Sequence, residues 1–444
     1  MQKEILSTNE AGNFFFGFHD TLAWNDNGTR LAALKIKHIN IPPSLDNPCS
    51  FGFIDDEQRF HEIGITYAYN YPQGARQQWL HASNNLIIND KVAVTWGSKV
   101  YDTDEGKLIS ELPYPCHVIT KEGWAFGLDY ARLHRVGGYG YTGIKDKTEG
   151  QNAPDTIGIT KHNIYTNENS LLVSIKEVAN FEMSENIGVH HYITHLVLNP
   201  LQDRIAFLHR FKLKDGGETT RLMTIGSDGN NLRCLATGFL SHFDWKDNST
   251  ILIWGRIGSN VEKLRNSKLY SLLPKELIFY AKKALKLIYY SSNNSFVKSD
   301  FNWMLFSDDD TSKQDFFAKD IMVVDGHPMF CPTNRDWLIC DTYPNEAGIR
   351  ELFLFQESTQ KRILLGQYKM IDSKPNIEDA KPTLTDVEPS VLKSFSIEMM
   401  AFYRSGLHCD LHPRWKPDGS TVAFDSIHSG ERKIYSFDVR NYLQ

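Results

Sequence analysis

The sequence predicts an all-β protein, a seven-bladed β-propeller with a helical insertion between blades five and six. A strand-turn-strand phrase recurs seven times along the 444 residues. Further strand pairs lie between the copies, so each repeat has the material for a four-stranded blade. Aromatic residues make up 12% of the chain and supply flat, bulky side chains for sheets that stack face to face.

The two clearest copies are Leu22–Leu34 and Pro413–Asp425. Each runs from an aromatic residue through a polar turn ending in Asn-Gly or Asp-Gly into alternating apolar residues, the signature of a hairpin whose tight turn needs positive φ. Looser copies are Trp79–Ile88, Thr120–Phe126, Leu196–Phe207, Phe243–Ile253 and Met329–Ile339. Between them, Lys99–Leu108, Arg221–Gly229 and Glu351–Glu357 read as strands ending in polar turns. The whole chain, 1–444, is expected to be one propeller domain, because radial blades share a continuous core. The last strand, Lys433–Val439, is expected to pair near the N-terminal strand. Two packed β-sandwiches with chance turns are the alternative.

The widest gap between copies, 259–320, forms the expected insertion. Within it Leu273–Tyr290 reads as a basic amphipathic helix, suited to a membrane surface or a protein partner, or to capping the propeller with its lysines in water. Ser291–Ser312 reads as a mobile loop. A second polar stretch, Met370–Val387, joins the sixth and seventh blades.

The formal charge of −6 argues against nucleic acid as a partner, which needs a basic face. No apolar run has the length of a membrane span or a signal-peptide core. Six cysteines without a paired framework point to a reducing compartment, and the expected location is the cytoplasm. No nucleophile elbow or phosphate-binding glycine loop stands in a fitting context, which disfavours serine hydrolase and nucleotide chemistry.

Histidines recur at comparable points of the last three hairpins. His242 precedes the fifth copy, His327 the sixth, and Cys409 and His412 the seventh. If these positions are equivalent, the side chains converge at one end of a central channel, and imidazole with thiolate suits a transition metal. The alternative has His242 and His327 bridging blades by hydrogen bonds and Cys409 packing as a small apolar group. A second group lies in blades three and four, with Arg132, His134, Tyr192 and Arg210, and with His117 as a further candidate. His, Tyr and Arg together suit proton abstraction beside a carboxylate: Arg neutralises the acid while His or Tyr exchanges protons. Equally, Arg132 and Arg210 could hold blades together through carboxylates.

The segments Phe18–Trp24, Ala131–Arg135, Ser241–Trp245, Asp341–Pro344 and Cys409–Trp415 together resemble bacterial propeller proteins related to oligogalacturonate lyases and ulvan lyases. The resemblance implies a seven-bladed propeller with one divalent metal ion and eliminative cleavage of an acidic, uronic-acid-containing poly- or oligosaccharide. It implies His327, Cys409 and His412 as metal ligands with His242 as a fourth, and Cys409 in place of the family's Gln favours zinc over manganese. The ulvan lyase order His, His, Tyr, Arg falls on His117, His134, Tyr192 and Arg210. A noncatalytic propeller that binds glycans or scaffolds surface-polysaccharide assembly is the competing function.

Overall fold

The structure, a computed structural model, describes residues 4–183, 188–213, 217–257, 301–371, 373–392 and 396–443. The 273–290 helix and most of the 259–320 insertion lie outside the described residues.

All seven copies of the phrase fold as antiparallel pairs, from the Trp24–Leu31 bridge of the first to Arg414–Trp415 against Thr421–Ser426 in the seventh. One hydrogen bond closes each turn: the amide of Asn25, Leu80, Thr120, Asn199, Lys416, Lys246 or Cys331 donates to the carbonyl four to six residues on. Three residues after the first turn residue the backbone is left-handed at Gly28, Gly123 and Gly419, with φ of 71°, 82° and 73°. Glycine meets that demand without a Cβ penalty, and Gln202 takes the same position at 62°.

Tryptophans at the hairpin starts lock successive copies together. The indole N–H of Trp79 donates to Ala23 O, that of Trp245 to Val197 O and that of Trp415 to Met329 O. A large apolar surface and a satisfied buried donor thus recur at one place in the repeat.

The described residues form antiparallel sheets of four to seven strands, a propeller-like fold. They divide into two compact units, one of residues 1–149, 159–172 and 326–444, the other of 150–158 and 173–325. In the first unit, one four-stranded sheet is completed from the far end of the sequence: Ile5–Leu6 pairs with Lys433–Asp438, Ile5 opposite Ser436, as expected for the last strand.

The second unit holds a seven-stranded sheet spanning Val189 to Phe316. Its long strand Arg233–Trp245 changes partner midway. Residues up to Gly238 pair with Glu218–Gly226, and those from Gly238 onward pair with Thr250–Ile257 across a bulge between Leu240 and Phe243. Such a bulge bends and twists a strand enough to hand it from one neighbour to the next. Residues 302–307, expected in a mobile loop, are a strand pairing with Thr250–Gly255; their Trp303, Met304 and Phe306 are buried, and the polar residues around them obscured the strand.

Three helical features among the described residues were not expected, one of them the short Ser174-capped helix Ile175–Asn180. Tyr130–Val136 is a helix, its first turn capped by the Asp129 carboxylate accepting from Arg132 N and its end by left-handed Gly137. The stretch after Met370 is not a plain polar linker. It carries short helical turns at Ile377–Ala380, Lys381–Leu384 and Pro389–Leu392 and the helix Ile397–Arg404. Leu384, Val387, Val391 and Met400 form their small core. This segment is anchored to the Tyr130–Val136 helix, where Glu388 N donates to Arg135 O and the Arg135 guanidinium meets both Glu388 (2.9 Å) and Asp146 (2.6 Å).

Candidate metal centre and adjoining cavity

The strand Trp337–Asp341 ends in a buried carboxylate that organises two distant segments. Asp341 Oδ1 accepts from the His327 amide at 2.7 Å and lies 2.8 Å from His327 Nδ1. Its Oδ2 accepts from the Leu411 and His412 amides at 3.1 and 3.2 Å. One carboxylate therefore fixes both the chain before the sixth hairpin and the chain before the seventh. Gly326 permits the approach, because a Cβ there would lie 2.0 Å from Asp341 O. Gly326→Ala is expected to cost about 1–3 kcal/mol of stability by overpacking, measured by denaturant unfolding.

Held this way, His327, Asp410 and His412 bring one ligand atom each within 4.8 Å of one another, all three buried. The two imidazole rings stand perpendicular with centroids 4.2 Å apart, and His412 Nε2 is 3.8 Å from Asp410 Oδ2. The backbone at His412 is left-handed, φ 43°, a strained conformation for a non-glycine residue that the surrounding hydrogen bonds enforce. Arg350 steadies Asp410 through a 2.7 Å ion pair. Burial, followed by the nearby His327 and His19, pushes the His412 pKa well below the usual range and keeps the ring neutral.

The set fits a divalent cation. His327 donating Nδ1–H to Asp341 presents its lone pair on Nε2, the carboxylate-backed tautomer typical of metal-bound histidine. His412 Nδ1 is buried without a hydrogen-bond partner among the described residues, an expense that coordination at this cluster would offset.

Of the expected ligands, His327 and His412 come together and Cys409 stands apart. Its thiol donates to Asp410 O, packs beside Leu407 and Ile427, and is pushed up to about 11 by burial, so it stays protonated. The third place falls to its neighbour Asp410, whose carboxylate lies within reach of His327 and His412 where the Cys409 thiol does not. With two imidazoles and a carboxylate the reason for preferring zinc is gone, since these donors suit zinc and manganese alike. His242 belongs to the second unit, where its Nδ1 is 3.0 Å from Asp325 Oδ1. His19, at 5.3 Å from His327 and 6.2 Å from His412 between ring centroids, joins the group's surroundings.

Beside the cluster lies a cavity of about 290 Å³. His134, Tyr139, Tyr403, Arg404 and His408 line it together with Asn70 and prolines of the 42–43 and 72 turns. His408 belongs to both features: its Nδ1 is 3.7 Å from Asp410 Oδ2, and its ring packs edge-on against Tyr403 at 4.9 Å. His134 sits on the capped helix with Nε2 3.0 Å from Thr383 O and Nδ1 3.2 Å from Arg404 Nη1. Burial and then the Arg404 charge hold its pKa well below the ordinary value. The neutral ring therefore donates from Nε2 and accepts at Nδ1, which occupies both nitrogens.

The other expected catalytic residues occupy different surroundings. His117 Nδ1 lies 2.8 Å from Tyr130 Oη, in a buried network where Arg76 pairs with Asp20 at 2.8 Å and donates to His117 O. Arg132 turns to Asp146 at 3.8 Å and Thr148 at 3.0 Å, a tie within the fold. In the second unit Tyr192 and Arg210 are cross-strand partners that share Glu218, at 2.8 and 3.8 Å. Arg404, His408 and Asp341 were assigned no role in the expected site. His408-x-Asp410-x-His412 is the signal that could have found the cluster, since it gathers two imidazoles and a carboxylate into one short segment.

No helix among the described residues is long and apolar enough to cross a membrane. No family model and no curated protein matches the chain. Among solved structures, the chain is similar to an oligogalacturonate lyase from Vibrio parahaemolyticus, with a TM-score of 0.57 and 10% identity over 99% of this chain and 94% of that one. It is similarly related to an oligogalacturonate lyase in complex with manganese, with a TM-score of 0.57 and 11% identity over 100% of this chain and 97% of that one. At such identities the likeness is one of fold: this chain is a propeller-like protein that shares its architecture with those lyases along nearly its whole length.

Proposed function

We propose that this protein is a lyase that cleaves a uronic-acid-containing oligosaccharide by β-elimination on a seven-bladed frame, with a divalent metal held by His327, Asp410 and His412. The observation that carries the reading is the juxtaposition, through His408, of a carboxylate-backed ligand cluster with a cavity walled by tyrosines and histidines. The fold shared with lyases, one of them a manganese complex, supports it.

When bound, the metal supplies a Lewis acid for the sugar carboxylate, stabilising negative charge that develops as the adjacent carbon loses its proton. His408 is the imidazole placed to take that proton, facing the cavity with Asp410 behind it. The C–H electron pair forms the new C=C bond and the β C–O bond breaks. Tyr403, in contact with His408 on the cavity wall, hands its proton to the leaving oxygen. His327, Asp410 and His412 hold their positions throughout, and Asp341 keeps the His327 tautomer fixed.

Elimination creates a double bond conjugated to a carboxylate, which absorbs in the ultraviolet. Incubation with oligogalacturonates and other uronate oligosaccharides in the presence of manganese or zinc is expected to raise that absorbance, and His408→Ala to lower kcat by about 10²–10⁴-fold. Reducing ends without absorbance would mean hydrolysis instead. Binding without either product would leave a glycan-binding propeller.

A further inference from the structure

Among the described residues Arg404 is a cation without a counter-charge. No carboxylate of the described residues lies within ion-pair distance of it. Its hydrogen bonds go to neutral acceptors and are long: His134 Nδ1 at 3.2 Å, and Thr383 O and His134 O at 3.4 Å. Nearby arginines are treated differently. Arg135 has Asp146 and Glu388, Arg350 has Asp410, and Arg414 has Asp425, each at 3.1 Å or less. Burial alone lowers the Arg404 pKa to about 10, with no anion to raise it. It remains charged at neutral pH, half-buried, with no anion among the described residues to offset the cost of that burial.

The placement of this cation is specific. Arg404 ends the Ile397–Arg404 helix and forms part of the cavity wall. His134, a neutral acceptor whose tautomer is set by Thr383 O, holds the guanidinium from one side. Asn70, Tyr139, Tyr403 and His408 add polar groups to the lining, and prolines 42, 43 and 72 are part of the same wall. A volume near the lower bound of small-molecule sites, roughly 300 Å³, suits a single compact ring better than a length of polymer. A planar fork of donors prefers a carboxylate, which it can bind through two parallel hydrogen bonds. Hydroxyl-bearing and aromatic walls suit a polyhydroxylated ring.

From this geometry we propose that the cavity is a sugar-acid subsite in which Arg404 anchors one ring carboxylate and His134 positions Arg404. The inference deepens the lyase reading and rests on it only for the acid's being a uronate. The turn Lys381–Leu384 and the helix Ile397–Arg404 then act as the specificity element, because they contribute the Thr383 carbonyl that orients His134 and Arg404 itself.

Ligand-observed NMR titration with the methyl glycosides of α-D-galacturonic acid and β-D-glucuronic acid, beside the neutral methyl galactoside and glucoside, tests the proposal on the full chain. At least one acid is expected to bind and its neutral counterpart to bind at least tenfold more weakly. Arg404→Gln is expected to weaken the acid by about 10–100-fold, the range of a lost charge-assisted contact, with the neutral glycoside unchanged. Arg404→Lys, keeping the charge without the fork, is expected to fall between. Should Arg404→Gln fail to fold, phenylglyoxal modification of the wild type read by peptide mapping gives the answer, since the bound acid is expected to protect Arg404. Equal binding of acid and neutral sugar, no binding of either acid, or absence of protection would overturn the proposal. Acid binding that persists while oligosaccharides yield no ultraviolet-absorbing product would sink the lyase reading and leave the subsite standing.

Discussion

His412→Ala is expected to strip the protein of a divalent metal that the wild type carries at close to one ion per chain, measured by elemental analysis after loading and dialysis. His412 supplies one of three donors, so its loss removes a bond and not merely its orientation. The affinity should fall by more than the roughly 10–100-fold that a supporting partner contributes. Asp341→Asn provides that comparison. It keeps the shape but weakens the carboxylate that sets the His327 tautomer and accepts from the Leu411 and His412 amides. Its expected loss lies within the 10–100-fold range. Cys409→Ser, whose side chain packs with Leu407 and Ile427 outside the cluster, is expected to leave metal content unchanged. Loss of metal in the cysteine variant with retention in His412→Ala would reverse the assignment of ligands.

The largest expected loss of stability belongs to Asp425→Ala. Asp425 is fully buried at the centre of a charged knot. It pairs with Arg414 at 3.1 Å and Arg432 at 3.7 Å, and accepts from the Phe16 and Gly17 amides at 3.2 to 3.3 Å. Both arginines are themselves buried, and Phe16 and Phe15 lie under their guanidinium planes at 4.6 and 5.1 Å. Removing the carboxylate leaves two cations and two amides in a dry interior. Breaking a buried pair from one side costs about 3–5 kcal/mol. Urea unfolding should show that loss as a lower midpoint with an unchanged slope. A loss below about 1 kcal/mol would mean that water reaches the knot.

The hairpins were legible because their cause is local. An Asn or Asp followed by Gly at the turn, an aromatic before it and alternating apolar residues after it are all read within a dozen positions. His327 and His412 were legible for the same reason, as residues at matching places before successive hairpins. Asp410 was missed as a ligand because Cys409-x-x-His412 drew attention to a ligand spacing, whereas the fold of the segment decides which side chain turns toward the cluster. The Tyr130–Val136 helix was missed although Asp129 and Gly137 stood at its ends as caps; seven residues are too few for periodicity to speak. Arg404 was beyond the reach of pattern altogether, since its significance lies in lacking a counter-charge, a property of three-dimensional neighbours. Tyr192 and Arg210 show the converse. Their residue types suggested chemistry, and the structure shows them as cross-strand partners that share Glu218 in the second unit.

The pairing of Ile5–Leu6 with Lys433–Asp438 sets a clock on the nascent chain. A contact between such distant positions must close a loop of nearly the whole sequence, and non-local pairing of this kind slows the search for the native state. Until it forms, the strand Lys433–Asp438 presents an open edge, the kind of surface that templates aggregation. Refolding is therefore expected to end in a slow phase in which this sheet is sealed. Molecular chaperones would have most to protect in that interval.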